Sequence, residues 1–490
     1  LEKQVLELSA QTCYATLSRQ VPCAGFAQRM TPYRQIHKGD PMNTPHAVSR
    51  RTFVKRSLAT AAGLGLWGTN RSWAGANNRV RIAVVGIRGH GFGSHIRNYP
   101  LLPDVEVTAL CDVDENLFPE RLKWFEQNDR PIPKTYVDIR KLLEDTSIDA
   151  ISVATPNHWH ALAGVWACQA GKHAHIEKPF CHNIFEGQKL IEAARKYHRV
   201  VHHGTESRSS KAYQEAMAFL RNGGLGEVYL AKGTCYKWRD TIGRTPEEPV
   251  PAGVHYDLWL GPAPKRPFTR NRFHYNWHWH WDYGNGDIGN QGVHEIDIAR
   301  WGLDVTLPTR VTAMGAHVMF DDDQETPNVL MATYEFDNPN GRGDKKKILQ
   351  FEVRHWITNY EGGFSEPPDN NIGNIFYGSE GYMTMYGGRW QTFLGRKREP
   401  GPSGVEQGNT DRAHYQSFID AIRANDTSGL PGKVEDGHHS CALIHMANTS
   451  YRLGRSLDFD PKQQRYVNDD EANRMLTRNY RSPFVVPASV

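Results

Sequence analysis

Lys178 closes the run Lys172-His-Ala-His-Ile-Glu-Lys-Pro-Phe180, in which a short apolar-leaning segment, Ala174 to Ile176, stops at a charged pair and a proline. Proline fixes φ and brings no N–H to a ladder, so a strand ends here and holds the Lys178 side chain at its carboxyl end. Ligands of open α/β sheets bind at that edge. A lysine beside a bound cationic ring has its pKa pushed down, toward acid–base work near neutral pH. Taken alone, Glu177-Lys178-Pro179 is better read as a surface lysine beside a glutamate, so the elements around it have to decide.

A second chemical signature precedes it. Residues 79–85 read as a buried strand, Gly86-Ile-Arg-Gly-His-Gly-Phe-Gly93 as a turn into a helical stretch at 94–98, and 105–111 as a strand that ends in Asp112. Glycines at a strand-to-helix turn let the backbone approach a pyrophosphate, whose charge a helix N-terminus favours. Asp112 has the spacing and chemistry to accept ribose hydroxyls, which favours NAD over NADP. In strict G-x-G-x-x-G register Arg88 takes the place of the second glycine, while Gly89 and Gly91 supply an alternative G-x-x-G-x-G. Gly86, Arg88, Gly89, Gly91 and Asp112 are therefore the expected nucleotide contacts.

The positioning elements follow an α/β rhythm. A helix is expected over 136–145, a buried strand over 150–155, a helix from Thr155-Pro-Asn-His-Trp-His160 through Ala170, the Glu-Lys-Pro strand, a helix over 184–197 and a strand over 200–204. Strands alternating with such helices imply a parallel, doubly wound sheet, so residues 77–204 are expected to form a Rossmann domain. From 205 to 490 the composition shifts. A helix at 211–221 precedes strand-like runs at 228–231, 311–320, 329–336 and 348–355. Late helices are expected at 411–424 and 439–453, and loops at 367–371 and 397–408. Consecutive strands with fewer helices suit an α+β domain with an antiparallel or mixed sheet.

Phe273-His-Tyr-Asn-Trp-His-Trp-His-Trp-Asp-Tyr283 is the richest stretch. Read as an alternating strand, it puts Tyr275, Trp277, Trp279 and Trp281 on one side and His274, His278 and His280 near the other. Aromatic faces stack on sugar C–H patches and imidazoles reach hydroxyls, so Trp277, His278, His280 and Tyr283 are expected to bind a carbohydrate. The competing readings are an aromatic strand packed under a sheet, and a metal site of His278, His280 and His294. The stretch lacks an acidic or cysteine partner at ligand spacing, and no metal is expected.

At 490 residues the chain is long enough for two domains plus extras. Its net charge of +4 is uneven: residues 1–76 hold ten Lys/Arg against three Asp/Glu, which leaves the remainder at −3 and argues against a nucleic-acid partner. The cysteines show no C-x-x-C spacing, and no apolar run is long enough to span a bilayer. Residues 1–41 are expected to be an over-extended start. Met42 opens a signal-like segment through residue 76: Ser49-Arg-Arg-Thr-Phe-Val-Lys55, an apolar run at 57–67 and Ala74-Gly-Ala76. The pattern is that of a twin-arginine signal, which implies the twin-arginine export machinery as a partner and a periplasmic or secreted location.

Glycine-rich turn, acidic strand end, Thr155-Pro-Asn-x-x-His160 and Glu177-Lys-Pro179, in that order, resemble the Gfo/Idh/MocA family of nicotinamide-dependent sugar oxidoreductases. The likeness continues through Asp257-Leu-Trp-Leu-Gly-Pro-Ala-Pro264, Gly289 to Trp301 and Asp436-Gly-His-His-Ser440, and covers roughly residues 79 to 460. It implies a Rossmann domain followed by an α/β domain whose large open sheet forms a homo-oligomer interface, as a dimer or tetramer. It also implies that Thr155, Pro156, Asn157, His160, Glu177 and Lys178 line the cofactor site, with Lys178 near the substrate hydroxyl and a cis Lys178–Pro179 bond. The family's D-x-x-x-H motif falls on Asn290 and His294. An amide orients a hydroxyl but cannot take its proton, so proton abstraction falls to Lys178 or His294, with Asp297, one turn on, to orient the imidazole. Asp287 is a second candidate carboxylate. The function implied is an exported oxidoreductase, holding NAD tightly, that acts on a sugar, sugar alcohol or glycoside. The alternatives are glycoside cleavage through transient oxidation, and a sugar- or nucleotide-binding protein without catalysis.

Overall fold

A computed structural model describes residues 79–356 and 370–490. The expected leader and its twin-arginine run lie outside those residues, as does most of the loop expected at 367–371.

Val80–Val85 (β1), Val105–Cys111 (β2), Lys134–Tyr136 (β3), Ala150–Val153 (β4), His173–Ile176 (β5) and Val201–His203 (β6) form one sheet in the order β3-β2-β1-β4-β5-β6. Every pairing in it is parallel. Ile82, Val84, Ile151, Val153 and Ile176 are buried on both faces, as near-continuous apolar strands require. Phe118–Gln127 (α1), Ile139–Leu143 (α2), Asn157–Gln169 (α3) and Ile184–Lys196 (α4) cover the faces. This is the doubly wound Rossmann sheet expected from the strand–helix rhythm. Two local expectations change. The helix expected at 136–145 is shorter, because Lys134–Tyr136 pairs with β2 and the Asp138 side chain caps α2 by accepting the Arg140 N–H. The winding after the glycine turn begins early, as a wide π-type turn over Gly91–Ile96.

Lys211–Arg221 (α5), capped by Ser210, leads into a ten-stranded sheet. Its strands are Val228–Tyr236 (β7), Arg310–Ala316 (β8), Val329–Asp337 (β9), Lys346–Arg354 (β10), Asn371–Gly378 (β11), Gly381–Tyr386 (β12), Arg389–Leu394 (β13), Glu399–Val405 (β14), Leu457–Asp460 (β15) and Arg465–Tyr466 (β16). β7 and β10 pair in parallel and their other neighbours antiparallel, so the sheet is mixed. Tyr256–Leu260 (α6), Gly286–Asn290 (α7), Gly292–Leu303 (α8), Thr410–Ala424 (α9), Val434–Leu453 (α10) and Asp470–Arg474 (α11) are the other α-helices of the second half. Along β8 and β9 burial alternates with period two: Val311, Ala313, Leu330 and Ala332 face the core, whereas the cross-strand neighbours Met314 and Met331 are 73% and 49% exposed. Tyr415, Phe418 and Ile419 of α9 return to pack with Val80 and Val84 of the first sheet. No helix among the described residues is long and apolar enough to cross a membrane.

The loop expected at 397–408 contains an edge strand, β14. Its glycines and prolines hide the pattern, but Gly404 lies on the Trp390 indole, where an added Cβ would sit 2.4 Å from Nε1. The aromatic run 273–283 is not an alternating strand. It winds through a 3-10 turn at Asn276–Trp279 and doubles back, so that Gly284 packs on the His278 backbone with room for no Cβ.

Candidate active site

A cavity of about 420 Å³ opens at the carboxyl ends of β1, β4 and β5, where the strand order reverses. Gly86 starts its floor at φ +85, and a Cβ there would meet the Ala154 carbonyl at 2.7 Å. Gly91 packs the following turn against β1, since its Cβ would lie 1.8 Å from the Gly86 oxygen; it does not line the cavity. Gly89 faces open space with Arg88 exposed beside it, which leaves backbone and a cation for a phosphate group. Asp112 stands across the turn, its Oδ2 accepting the Ile87 N–H at 2.8 Å and its Oδ1 the Asp114 N–H at 3.0 Å. Burial raises its carboxyl to about 6 against the pull of those two donors. Thr155 Oγ1 and Asn157 Nδ2 are buried polar atoms without a hydrogen-bond partner, and both residues line the cavity with Pro156. An open glycine turn, an acidic acceptor and orphaned polar atoms fit a dinucleotide.

Lys178 follows β5 and its peptide bond to Pro179 is cis. Its Nζ donates to the Asn290 carbonyl at 2.7 Å, which ties the Rossmann edge to α7 of the second half. Glu177 reaches the other way. Its Oε1 lies 3.2 Å from His90 Nε2, 3.1 Å from His95 Nε2 and 3.6 Å from His175 Nε2. Burial opposes ionisation of Glu177, but the imidazoles outweigh it and hold the carboxyl well below its usual range. The Glu177 carboxylate thus fixes the strand end that carries Lys178. His160 acts as a staple, its ring nitrogens 2.6 Å from the Thr155 carbonyl and 2.8 Å from the Pro179 carbonyl.

On the opposite wall α8 presents His294, the 3-10 turn presents Trp277 and His278, and Tyr275 stands just before that turn. Burial and the Lys178 charge hold His294 well below its usual value, so it is neutral at working pH. Burial likewise pushes His278 down to about 3. The remaining expectations are corrected. His280 is turned away, bonded to the Asn271 carbonyl at 3.0 Å and near Glu325, so no His278–His280–His294 group assembles. Tyr283 is fully buried against Trp259 and His158. Asp297 does not orient His294: it forms a two-pronged pair with Arg208 at 2.7 and 2.9 Å and accepts from Ser440. Asp287 is held by Arg239 at 2.6 and 2.9 Å and by His355 at 2.8 Å. Asn290 donates its side-chain Nδ2–H to Asp287 at 3.1 Å, while its backbone carbonyl accepts from Lys178 Nζ. Sequence reasoning missed Glu206, which lines the cavity 3.7 Å from His294 Nδ1. The signal was present: an acidic residue just past the carboxyl end of β6, the edge where ligands bind.

Residues 80–205 match the GFO_IDH_MocA family, described as an oxidoreductase family with an NAD-binding Rossmann fold. Residues 219–336 and 404–486 match its C-terminal alpha/beta domain. Over 166 residues the chain is 32% identical to a glycosyl hydrolase family 109 protein of Solibacter usitatus, covering 31% of this chain and 37% of that one. Over 121 residues it is 30% identical to an alpha-N-acetylgalactosaminidase of Shewanella oneidensis, covering 24% and 26%. The chain thus spans well under half the length of these curated relatives. Among solved structures it resembles an aldose-aldose oxidoreductase from Caulobacter crescentus complexed with glycerol, at 20% identity and TM-score 0.58 over 78% of this chain and 100% of that one. Levoglucosan dehydrogenase, complexed with NADH and levoglucosan, aligns at 17% identity and TM-score 0.59 over 78% and 99%. At these identities the likeness is one of fold.

Proposed function

Because the chain belongs to the Gfo/Idh/MocA oxidoreductase family, with its NAD-binding Rossmann domain, we propose that it moves a hydride between bound NAD and a hydroxyl-bearing carbon of a sugar, sugar alcohol or glycoside. The observation that carries this reading is the convergence of Lys178 and His294 from the two halves of the chain on one cavity. Gly86, Gly89, Asp112, Thr155 and Asn157 would hold the dinucleotide, which would supply the hydride acceptor when bound. Lys178, anchored on Asn290, directs its remaining N–H groups at the substrate oxygen. His294, neutral by burial, takes the hydroxyl proton. Tyr275 and Trp277 offer faces for the apolar side of a sugar ring.

Retention of the nucleotide through each cycle would let a second sugar carbonyl, or return of the hydride to the same substrate, restore it in place. That economy suits an exported enzyme, which is the reading of the Arg50-Arg51 leader. The exposed Met314–Met331 face of the ten-stranded sheet supports assembly with further copies of this chain, which light scattering in solution tests. A second reading, glycoside cleavage by transient oxidation and elimination, is favoured by the family 109 relatives that match part of the chain. A binding-only role is disfavoured by the presence of both Lys178 and His294. The deciding experiment incubates the purified protein with a panel of glycosides and no added NAD. Released aglycone selects cleavage, whereas an oxidised sugar that needs a second carbonyl selects the oxidoreductase.

A further inference from the structure

His294 Nδ1 is buried and lacks a hydrogen bond, which is costly for a polar atom. Among the described residues one carboxylate approaches it within ion-pair distance, Glu206 Oε1 at 3.7 Å. The neighbouring acids are committed elsewhere: Glu177 to three imidazoles, Asp287 to Arg239 and His355, Asp297 to Arg208 and Ser440. We infer that Glu206 is the positioning carboxylate of His294, accepting the Nδ1–H and so turning the Nε2 lone pair to the cavity. This rests on the reading above, in which His294 takes the substrate's hydroxyl proton.

The backbone is built to hold this couple. Glu206 opens the short 3-10 turn Glu206–Ser209. Two residues on, Arg208 clamps that turn to Asp297, which lies on α8 one helical turn beyond His294. Both ends of the clamp are buried, with side chains 8% and 1% exposed. Asp297 therefore serves His294 indirectly, by docking the turn that bears its partner. The Glu206 side chain is 39% exposed and has the freedom to close the last fraction of an ångström once substrate fills the cavity. The Lys178 and Lys237 charges and the nearby His203 ring oppose an imidazolium at His294, Glu177 favours one, and Glu206, whose carboxyl burial and Glu177 raise above its usual value, lies at ion-pair distance. In the reaction the hydroxyl proton passes to Nε2, and the imidazolium so formed pairs with the Glu206 carboxylate through Nδ1–H.

The test compares Glu206→Gln and Glu206→Ala in the holoenzyme. Glutamine keeps an acceptor oxygen without the charge, and alanine removes both. Ring-nitrogen NMR of His294, assigned against His294→Gln, reads the tautomer and its titration, while pH profiles of kcat and KM read its use. Alanine should move the ring away from the Nδ1–H tautomer and lower kcat about 10- to 100-fold with KM nearly unchanged. Glutamine should keep the tautomer and move the acidic limb of the kcat profile downward by about one pH unit. An unaltered tautomer and kcat in the alanine variant, or a change confined to KM, would overturn the couple. If wild-type protein oxidises no carbohydrate while the tautomer still responds to Glu206, the functional reading falls and the couple stands.

Discussion

Asp112→Ala tests the nucleotide end of the site. The carboxylate accepts the Ile87 and Asp114 N–H groups, so alanine leaves two backbone donors without an acceptor beside a half-buried cavity. It also removes a charge-assisted acceptor for ribose hydroxyls, the kind of bond that contributes about 1.5–3 kcal/mol. NAD should therefore bind about 10- to 100-fold more weakly. NADP loses no such contact and gains relief from repulsion between its 2′-phosphate and Asp112, so the preference for NAD should narrow. Asp112→Asn should fall between. Because burial raises the Asp112 carboxyl to about 6 from an ordinary 3.8, the folded apoprotein binds the extra proton between those values. Its contribution to apoprotein stability is present at low pH and lost as pH rises through about 6, whereas NAD affinity, which needs the carboxylate, strengthens over the same window. Calorimetry on nucleotide-stripped protein measures both cofactors across that range. Equal or tighter NADP binding by the wild type, or an unchanged ratio in the alanine variant, would refute the reasoning.

Lys178→Ala should cost at least about 10²-fold in turnover, because proton and hydride must move together; single-turnover kinetics on a responsive sugar reads it. Gly91→Ala forces a Cβ to within 1.8 Å of the Gly86 oxygen and should lower the melting temperature and nucleotide content together. Gly89→Ala meets nothing within 4 Å, so its melting temperature should hold while NAD affinity falls, if the phosphates approach that face. Replacing Arg50 and Arg51 with lysine should retain the protein in the cytoplasm, and equal periplasmic recovery on fractionation would end the twin-arginine proposal.

Features written in local sequence were legible. The glycine turn, the strand ends at Asp112 and Lys178 and the helix Lys211–Arg221 each depend on backbone propensity within a few residues. Partnerships closed by distant elements were not. Asp297 looked like the orienting group for His294 because it lies one turn away, but Arg208 reaches it from beyond β6. Asp287 is likewise taken by Arg239 and His355, far from it in the chain. The aromatic run failed for a different reason: alternation of large residues mimics a strand, while the chain at Gly284 folds back on His278 and buries Trp279 and Tyr283. Among the strands missed, β11 and the edge strand β14 escaped because glycine, and in β14 also proline, dilutes their pattern, and pairing with neighbouring strands holds them in place.

The most direct test takes the protein as purified, identifies any nucleotide released on denaturation, and then mixes intact protein with carbohydrates bearing hydrogen or deuterium at the reacting carbon. No NAD is added, and the near-ultraviolet absorbance of reduced nicotinamide is followed. The account predicts copurifying NAD, an absorbance rise within a single turnover, slower with deuterium, and loss of that rise in Lys178→Ala. A protein that holds NAD yet shows no reduction with any carbohydrate, or one that is empty and turns over freely exchanging NAD, would contradict it.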